Sequence, residues 1–364
     1  MKRGRVFWWI VGLFIVGCIF LNEYQKHLSI SSIFAKMDRN VNLELLPAPL
    51  NPARTILVSS LLAPLATGTN CFYSPCFQAA WNGLLGAKRV NRGENTAVPL
   101  LAELDKQLVA PDDMPLEDIF VSFDQMTKKV AAANSEKYAQ MFGEQPQWSP
   151  VEVGPDTFSL MGAINNHLRF RNYYERFERA IRFNGSRKYY GFGYFVGFES
   201  ARKQTHILFH EKGGIFGVEL TTTSPISIIL AQIPREATLL AAIKDVASRT
   251  AKACGARESP PDYFSVPLVS LRIRDHGGDL VGKPIIIDGQ SQTIGQAENE
   301  LLFRLNEFGT DTVGTIRIIS TLGVARDPIC CDFDKPFLIL LRKNGRAMPF
   351  FAAWIENDKA LHQF

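Results

Sequence analysis

The stretch LNEFGTDTVGTIRIISTLGVARDPICCDFDKPF (residues 305–337) joins a strand-like run to a turn-rich one. It begins with an acid-Phe-Gly-Thr step, continues through small and β-branched residues, and then passes through a segment that contains proline. β-Branched residues favour strands, whereas Gly, Pro and Asp favour turns. The stretch therefore predicts a strand and a long exposed loop side by side, and an apolar strand pattern follows at once.

Short aromatic and β-branched runs fill the chain from Phe158 onward. They are TFSLMGAI, YYGFGYFVGF, THILFH, IFGVEL, ISIILAQI, FSVPLVSLRI and PIIIDG. Runs of this kind, bounded by Gly, Pro or Asp, are typical of strands. Within this half we predict one helix over residues 237–253 and a short one over residues 296–302.

Helical spacing of apolar residues marks the first half of the chain instead. It predicts helices over residues 77–85, 100–108 and 119–142. Helices followed by strands indicate an α+β fold with large, mainly antiparallel sheets rather than alternating βαβ units. No linker separates the two halves, so we predict a single domain over residues 36–364, preceded by a separate segment over residues 1–35.

The N-terminal segment has a basic start and an apolar continuation. MKRGR precedes an uncharged run that begins at Val6 and ends at Leu21, slightly shorter than the roughly 20 residues that span a bilayer upright. Because basic residues remain on the cytoplasmic side, the rest of the chain is expected on the outer side. We predict a signal-anchor in the membrane, with a cleaved signal peptide or lipidation at Cys18 as the alternatives. The folded part is then membrane-anchored and extracytoplasmic, or secreted.

Residue patterns do not indicate catalysis, a cofactor or nucleic-acid binding. The net charge of +4 is too small to argue for nucleic acid. His206 and His210 lie in a strand pattern, about 13 Å apart along the strand, which is too far for one metal ion. The chain has no Gly-x-Ser-x-Gly nucleophile motif. We predict neither an enzyme nor a metal site; Cys71 and Cys76 are either a local disulfide or two buried thiols.

Four stretches in a fixed order resemble the serpin family. They are NCFYSP from Asn70, the start of a buried helix; NHLRFRNYYERF from Asn166, a central-sheet strand; EFGT from Glu307, a reactive-loop hinge; and FDKPFLI from Phe333, the closing strand pair. Tyr174 stands where the family has Trp, and the stretch over residues 87–162 is shorter than is typical. The residues that carry the fold signature are Asn70, Ser74, Pro75, Asn166, Phe170, Phe333, Pro336 and Phe337.

The resemblance implies a serpin-like fold and an inhibitory mechanism. A protease cleaves the exposed loop and forms an acyl-enzyme, and the freed strand then inserts into the central sheet and distorts the protease. The implied hinge residues are Glu307, Gly309, Thr310, Thr312 and Gly314. The implied scissile region contains Leu322, Gly323 and Arg326.

The alternation of side chains along residues 310–319 is compatible with insertion of this segment into the central sheet. One face would carry Thr310, Thr312, Gly314, Ile316 and Ile318, and every charge falls on the other face. An unpaired inward charge would cost several kcal/mol, so the uncharged face is compatible with burial. Thr312 and Val313, however, are stiffer than the small residues that the family prefers here and would slow insertion.

These patterns lead to one functional prediction and two alternatives. We predict a protease inhibitor, with a serine or cysteine protease as its partner and the membrane as a second contact. The alternative is a non-inhibitory binding or structural module of the same fold, in which residues 310–319 are an ordinary sheet strand. An unrecognised enzyme is a third possibility.

Overall fold

The computed structural model describes residues 48–125, 127–143, 146, 157–164, 168–177, 179–195, 199–253, 260–309 and 328–363. The boundary predicted after residue 35 lies outside these residues and stays a prediction. The helices of the described part are α1 (Cys76–Gly86), α2 (Pro99–Leu104), α3 (Lys128–Phe142), α4 (Glu199–Arg202) and α5 (Leu239–Lys252).

Strands make up most of the remaining structure. The first nine in chain order are β1 (Thr55–Val58), β2 (Asn70–Tyr73), β3 (Ile119–Gln125), β4 (Thr157–Ile164), β5 (Glu175–Arg176), β6 (Ile181–Phe183), β7 (Ser186–Tyr189), β8 (Gly191–Tyr194) and β9 (Thr205–Glu211). The next nine are β10 (Ile215–Thr221), β11 (Ile226–Gln232), β12 (Tyr263–Pro267), β13 (Val269–Asp275), β14 (Pro284–Ile287), β15 (Gln290–Leu305), β16 (Cys330–Asp332), β17 (Phe337–Lys343) and β18 (Phe351–Ile355). Each of the seven runs quoted between residues 157 and 289 contains a strand. The described part of the stretch from Asn166, predicted as a central-sheet strand, holds only the two-residue β5, which belongs to the four-stranded sheet. The strand predicted over residues 310–319 lies outside the described residues.

A seven-stranded sheet lies at the centre of the main apolar core. Its strand order is β1-β2-β18-β17-β11-β10-β9. All residues of β11 and β18 are buried, because both faces of these strands are covered and a nearly continuous apolar run suits that position. The predicted closing strand pair is confirmed, since β17 and β18 pair in antiparallel fashion.

A second sheet has the order β13-β15-β4-β3, with β14 added to one part of β15. Helix α1 packs on one face, where Gly162 approaches Cys76 so closely that a Cβ has no room. Helix α3 covers part of the other face through a cluster of Phe120, Tyr138, Met161 and Ala163. This sheet is therefore packed between two helices.

A four-stranded sheet of order β16-β12-β8-β5 and the hairpin β6–β7 complete the strand pairing. The glycines of β8 have a packing reason, because a Cβ at Gly193 would overlap the Phe264 carbonyl of β12. The glycine run from Gly191 is thus part of a strand.

Three helix predictions need correction. Residues 119–125 form β3 rather than the start of a helix, because all of them pair in antiparallel fashion with residues 158–164 of β4. Residues 296–302 belong to β15, where hydrogen bonds to β13 and β4 on both sides override the helix preference of QAENELL. The helix predicted over residues 100–108 ends at Leu104.

The structure also bears on the cysteines and on membrane spans. Cys71 and Cys76 are both buried free thiols, so the disulfide alternative is wrong.

No helix within the described ranges is long and apolar enough to cross a bilayer. The predicted run from Val6 to Leu21 and Cys18 lie outside those ranges.

Candidate functional site

Strands β4 and β15 meet along a parallel seam. Their register joins Thr293 to Thr157 at one end and Leu301 to Ile164 at the other, with one irregularity between Ile294 and Gln296. We call this direct pairing the seam. Because the two strands are hydrogen-bonded to each other, the seam is closed, and any further strand would have to separate them.

The chain reverses direction directly after β15. The backbone N–H of Asn306 donates to the Gly309 carbonyl over 3.0 Å, and the N–H of Gly309 donates back over 3.2 Å. The Asn306 side chain also accepts from the Phe308 N–H. Gly309 has a φ of 121°, a conformation that only glycine adopts readily. This reversal places Gly309 antiparallel to the end of β15.

Gly309 is bridged on its other side as well. It forms an antiparallel bridge with Arg169, which follows β4 along the chain. The neighbouring Phe170 N–H donates to the Phe308 carbonyl over 2.8 Å, and a Cβ at Gly309 would overlap the Leu168 carbonyl. Gly309 thus lies between the chain that leaves β15 and the chain that leaves β4, at the end of the seam.

A buried ion pair anchors this turn. Arg176 of β5 contacts Glu307 through Nε–Oε1 at 2.7 Å and Nη2–Oε2 at 3.1 Å. The Glu307 side chain is only 2% exposed, whereas that of Arg176 is 25% exposed. Burial raises the pKa of the Glu307 carboxyl, and Arg176 opposes that rise. The turn at Glu307 is therefore held by an ion pair with a desolvated carboxylate, in which Nη2 donates the hydrogen bond.

The distal end of the 310–327 segment has a second buried pair. Asp262 accepts from Arg202 Nη2 at 2.9 Å and from the Ile329 backbone N–H at 3.0 Å. The Asp262 N–H in turn donates to the Ile329 carbonyl over 2.9 Å. Strand β16 then pairs in parallel with β12 at the edge of the four-stranded sheet. Both ends of the 310–327 segment are thus attached to buried carboxylates.

The first signature residue, Asn70, joins distant parts of the chain. Its Nδ2 donates to Thr55 Oγ1 at 3.2 Å and to Asn357 Oδ1 at 2.9 Å. Its Oδ1 accepts from the backbone N–H groups of Glu356 and Asn357, both at 2.8 Å. Asn70 is fully buried, so it stabilises the packing of β2 against the chain that follows β18.

Substituting Asn70→Ala is expected to lower the free energy of unfolding by about 2 kcal/mol, because two buried backbone donors lose their acceptor. Urea unfolding measures this loss. The control is Asn91→Ala, since the Asn91 side chain is exposed and donates to the exposed Glu94; its effect should stay below about 0.5 kcal/mol. Equal losses in the two variants would contradict the role of Asn70.

The other described signature residues belong to the core or to the start of a helix. Ser74 and Pro75 precede α1, where the Pro75 carbonyl accepts from the Ala79 N–H. Phe170 packs on Tyr174, the residue at the family's Trp position, with ring centroids 4.7 Å apart. The rings of Phe333 and Phe337 are buried, and their centroids lie 5.3 Å apart. Pro336 directly precedes Phe337. Several predicted site residues lie outside the described part of the chain: Asn166, Thr310, Thr312, Gly314, Leu322, Gly323 and Arg326.

No pattern in the sequence indicates a role for Arg176, Arg202 or Asp262. Arg176 stands within the second serpin-like stretch, but nothing local indicates that it reaches Glu307. Among the described residues, no group of three or more His, Cys, Asp or Glu side chains is placed to hold a metal. His206 and His210 lie on β9, as their strand pattern predicts.

Comparisons with known proteins support the fold. No protein-family model matches the chain, and no curated protein matches it by sequence. The native state of tengpin, a thermophilic serpin, is similar with a TM-score of 0.51 and 11% identity, over 80% of this chain and 90% of that one. Human thyroxine-binding globulin complexed with thyroxine has a TM-score of 0.46 and 10% identity, over 79% of this chain and 92% of that one. A serpin of the insect Tenebrio molitor has a TM-score of 0.48 and 12% identity, over 80% of this chain and 92% of that one.

The likeness to tengpin and the sheet arrangement define the class. This chain has a serpin-like α+β fold, with mixed sheets and few helices, as the sequence predicts.

Proposed function

We propose that this protein inhibits serine or cysteine proteases by bait-loop cleavage and strand insertion. The observation that carries the proposal is the closed seam with Gly309 at its end. Gly309 is bridged to Asn306 on the β15 side and to Arg169 on the β4 side. A strand that continued from Gly309 between β4 and β15 would extend a pairing that this residue already makes.

The strand pairing supports insertion energetically. The seam is a parallel ladder, and a strand that follows the reversal at Gly309 would run antiparallel to both β4 and β15. One parallel ladder would give way to two antiparallel ladders, which are slightly more stable per residue. Strand addition also supplies backbone hydrogen bonds independently of side-chain identity. The uncharged face of residues 310–319 suits the buried side.

The two anchors support a need for cleavage. While the 310–327 segment is intact, its distal end is held by Asp262 and by the pairing of β16 with β12. Cleavage near Leu322, Gly323 or Arg326 would free the proximal strand without disturbing that anchor. The uncharged run from Val6 to Leu21 further supports a domain that is tethered to a membrane on its outer side, or secreted if this run is removed.

Substituting Thr310→Arg is expected to abolish stable complexes with proteases, because a charge would enter the buried face. The full chain is incubated with a panel of serine and cysteine proteases, and covalent complexes are counted on denaturing gels. Thr315→Arg is the matched control, since the same change falls on the outward face and should preserve trapping. Trapping by the Thr310→Arg variant would contradict strand insertion.

The second candidate is a non-inhibitory module of the same fold. The buried Glu307–Arg176 pair and the stiff residues Thr312 and Val313 favour it, because both oppose rapid movement of the strand. In that case the proteases that cleave the wild-type loop form no lasting complex with the protein. The melting temperature of the protein also stays constant after cleavage. A rise in melting temperature after cleavage would favour insertion over this alternative.

A further inference from the structure

Helix α3 contacts both sides of the seam. Asn134 Nδ2 donates to Ser122 Oγ of β3 at 2.7 Å, which fixes the helix on the β4 side. One turn later, the Tyr138 hydroxyl donates to Glu300 Oε2 of β15 at 3.0 Å. Since the order across the sheet is β13-β15-β4-β3, the second hydrogen bond crosses the seam and the first does not.

The Tyr138 ring belongs to the β4 side. It packs against Phe120 of β3 with centroids 5.8 Å apart, and it shares a buried cluster with Met161 and Ala163 of β4. The side chain is 1% exposed. The ring is therefore held by β3 and β4, while its hydroxyl reaches across the seam to β15.

Glu300 belongs to the opposite side of the seam. Its Oε1 accepts from Arg272 Nε at 2.5 Å and from Arg274 Nε at 3.0 Å, and both arginines lie on β13. If β15 moved away from β4, β13 would move with it, because the two strands pair along seven residues of β13. The Glu300 side chain would keep both arginines and lose its hydrogen bond to Tyr138.

We propose that the Tyr138–Glu300 hydrogen bond is a latch that holds the seam closed and limits the rate of strand insertion. A strand that enters the seam widens it by one strand spacing, about 4.8 Å. A hydrogen bond of 3.0 Å does not survive such a displacement. This inference rests on the proposed function, since it concerns the step that strand insertion requires.

The test compares two substitutions in α3. Tyr138→Phe removes only the hydroxyl and leaves the ring packing and the Glu300–arginine pairs intact. Asn134→Ala removes the hydrogen bond that stays on one side of the seam, so it is the matched control for weaker docking of α3. The probe is a synthetic peptide with the sequence TDTVGTIRII (residues 310–319), and the rate of its uptake by the full chain is followed on native gels.

We expect Tyr138→Phe to accelerate peptide uptake about tenfold, the effect of losing one hydrogen bond to a charged group. Asn134→Ala should stay within about twofold of the wild-type rate. An unchanged rate in Tyr138→Phe, or equal acceleration in both variants, would overturn the latch while leaving insertion itself intact.

Hydrogen exchange separates failure of the latch from failure of the proposed function. If neither the wild type nor the variants take up peptide or gain stability after loop cleavage, strand insertion is wrong. The seam amides of β4 and β15 still report on the latch, because their exchange requires the seam to open. Faster exchange of these amides in Tyr138→Phe, but not in Asn134→Ala, supports the latch, and equal exchange overturns it.

Discussion

Substituting Gly309→Ala is expected to lower the free energy of unfolding by about 3 kcal/mol. Two costs add in this variant. Alanine is strained at a φ of 121°, and its Cβ would overlap the Leu168 carbonyl. Because that contact is with backbone, the segment after β4 must move away from the turn at Asn306. Urea unfolding measures the loss of stability.

Gly213→Ala is the matched control for this substitution. Gly213 also has a positive φ, of 87°, but no atom lies within 4 Å of the position of its Cβ. It should therefore show only the conformational cost, about 1 kcal/mol. The difference between the two variants isolates the contact with the Leu168 carbonyl. Equal losses would contradict the close approach of the chain at the end of the seam.

Alternating patterns in the sequence predict the second half of the fold well. THILFH and IFGVEL, for example, form β9 and β10, which pair with each other across a short turn. In such local pairs the alternation of side chains already specifies which face is buried. Gly309 was singled out differently, through the resemblance of EFGT to a serpin hinge, and alternation gives no sign of its backbone conformation.

The long-range side-chain pairs around the seam could not be predicted from alternating patterns. Glu307 and Arg176 are separated by 131 positions, and Tyr138 and Glu300 by 162. Neither pair has a local pattern, since each depends on how the sheets pack. The error at residues 119–125 has a similar origin: Ile119 and Phe123 fit helical spacing, but the same residues fit alternation with Val121. Pairing with β4 decided between the two.

Substituting Arg176→Met is expected to lower the free energy of unfolding by about 3–5 kcal/mol at pH 8. Methionine keeps most of the packing volume but leaves the Glu307 carboxylate without its countercharge. That carboxylate is 2% exposed, so water cannot replace the lost guanidinium. Urea unfolding of the full chain measures the loss.

The loss of unfolding free energy in the Arg176→Met variant should become smaller as the pH falls. Burial already raises the pKa of Glu307 above its usual value of 4.5, and removal of Arg176 raises it further. The folded variant then binds a proton that the unfolded chain has released. Its stability therefore increases on acidification below the raised pKa, by up to about 1.4 kcal/mol per pH unit, and levels off below pH 4.5.

The pH dependence distinguishes a buried pair from an ordinary surface pair. Arg346→Met is the control, because Arg346 and Asp112 have side chains that are 44% and 74% exposed. Its effect should stay below about 1 kcal/mol and hardly change between about pH 5 and 8. If the deficit of Arg176→Met were the same at both pH values, Glu307 would not be a desolvated carboxylate. The turn at Gly309 would then be held by its backbone bridges and not by charge.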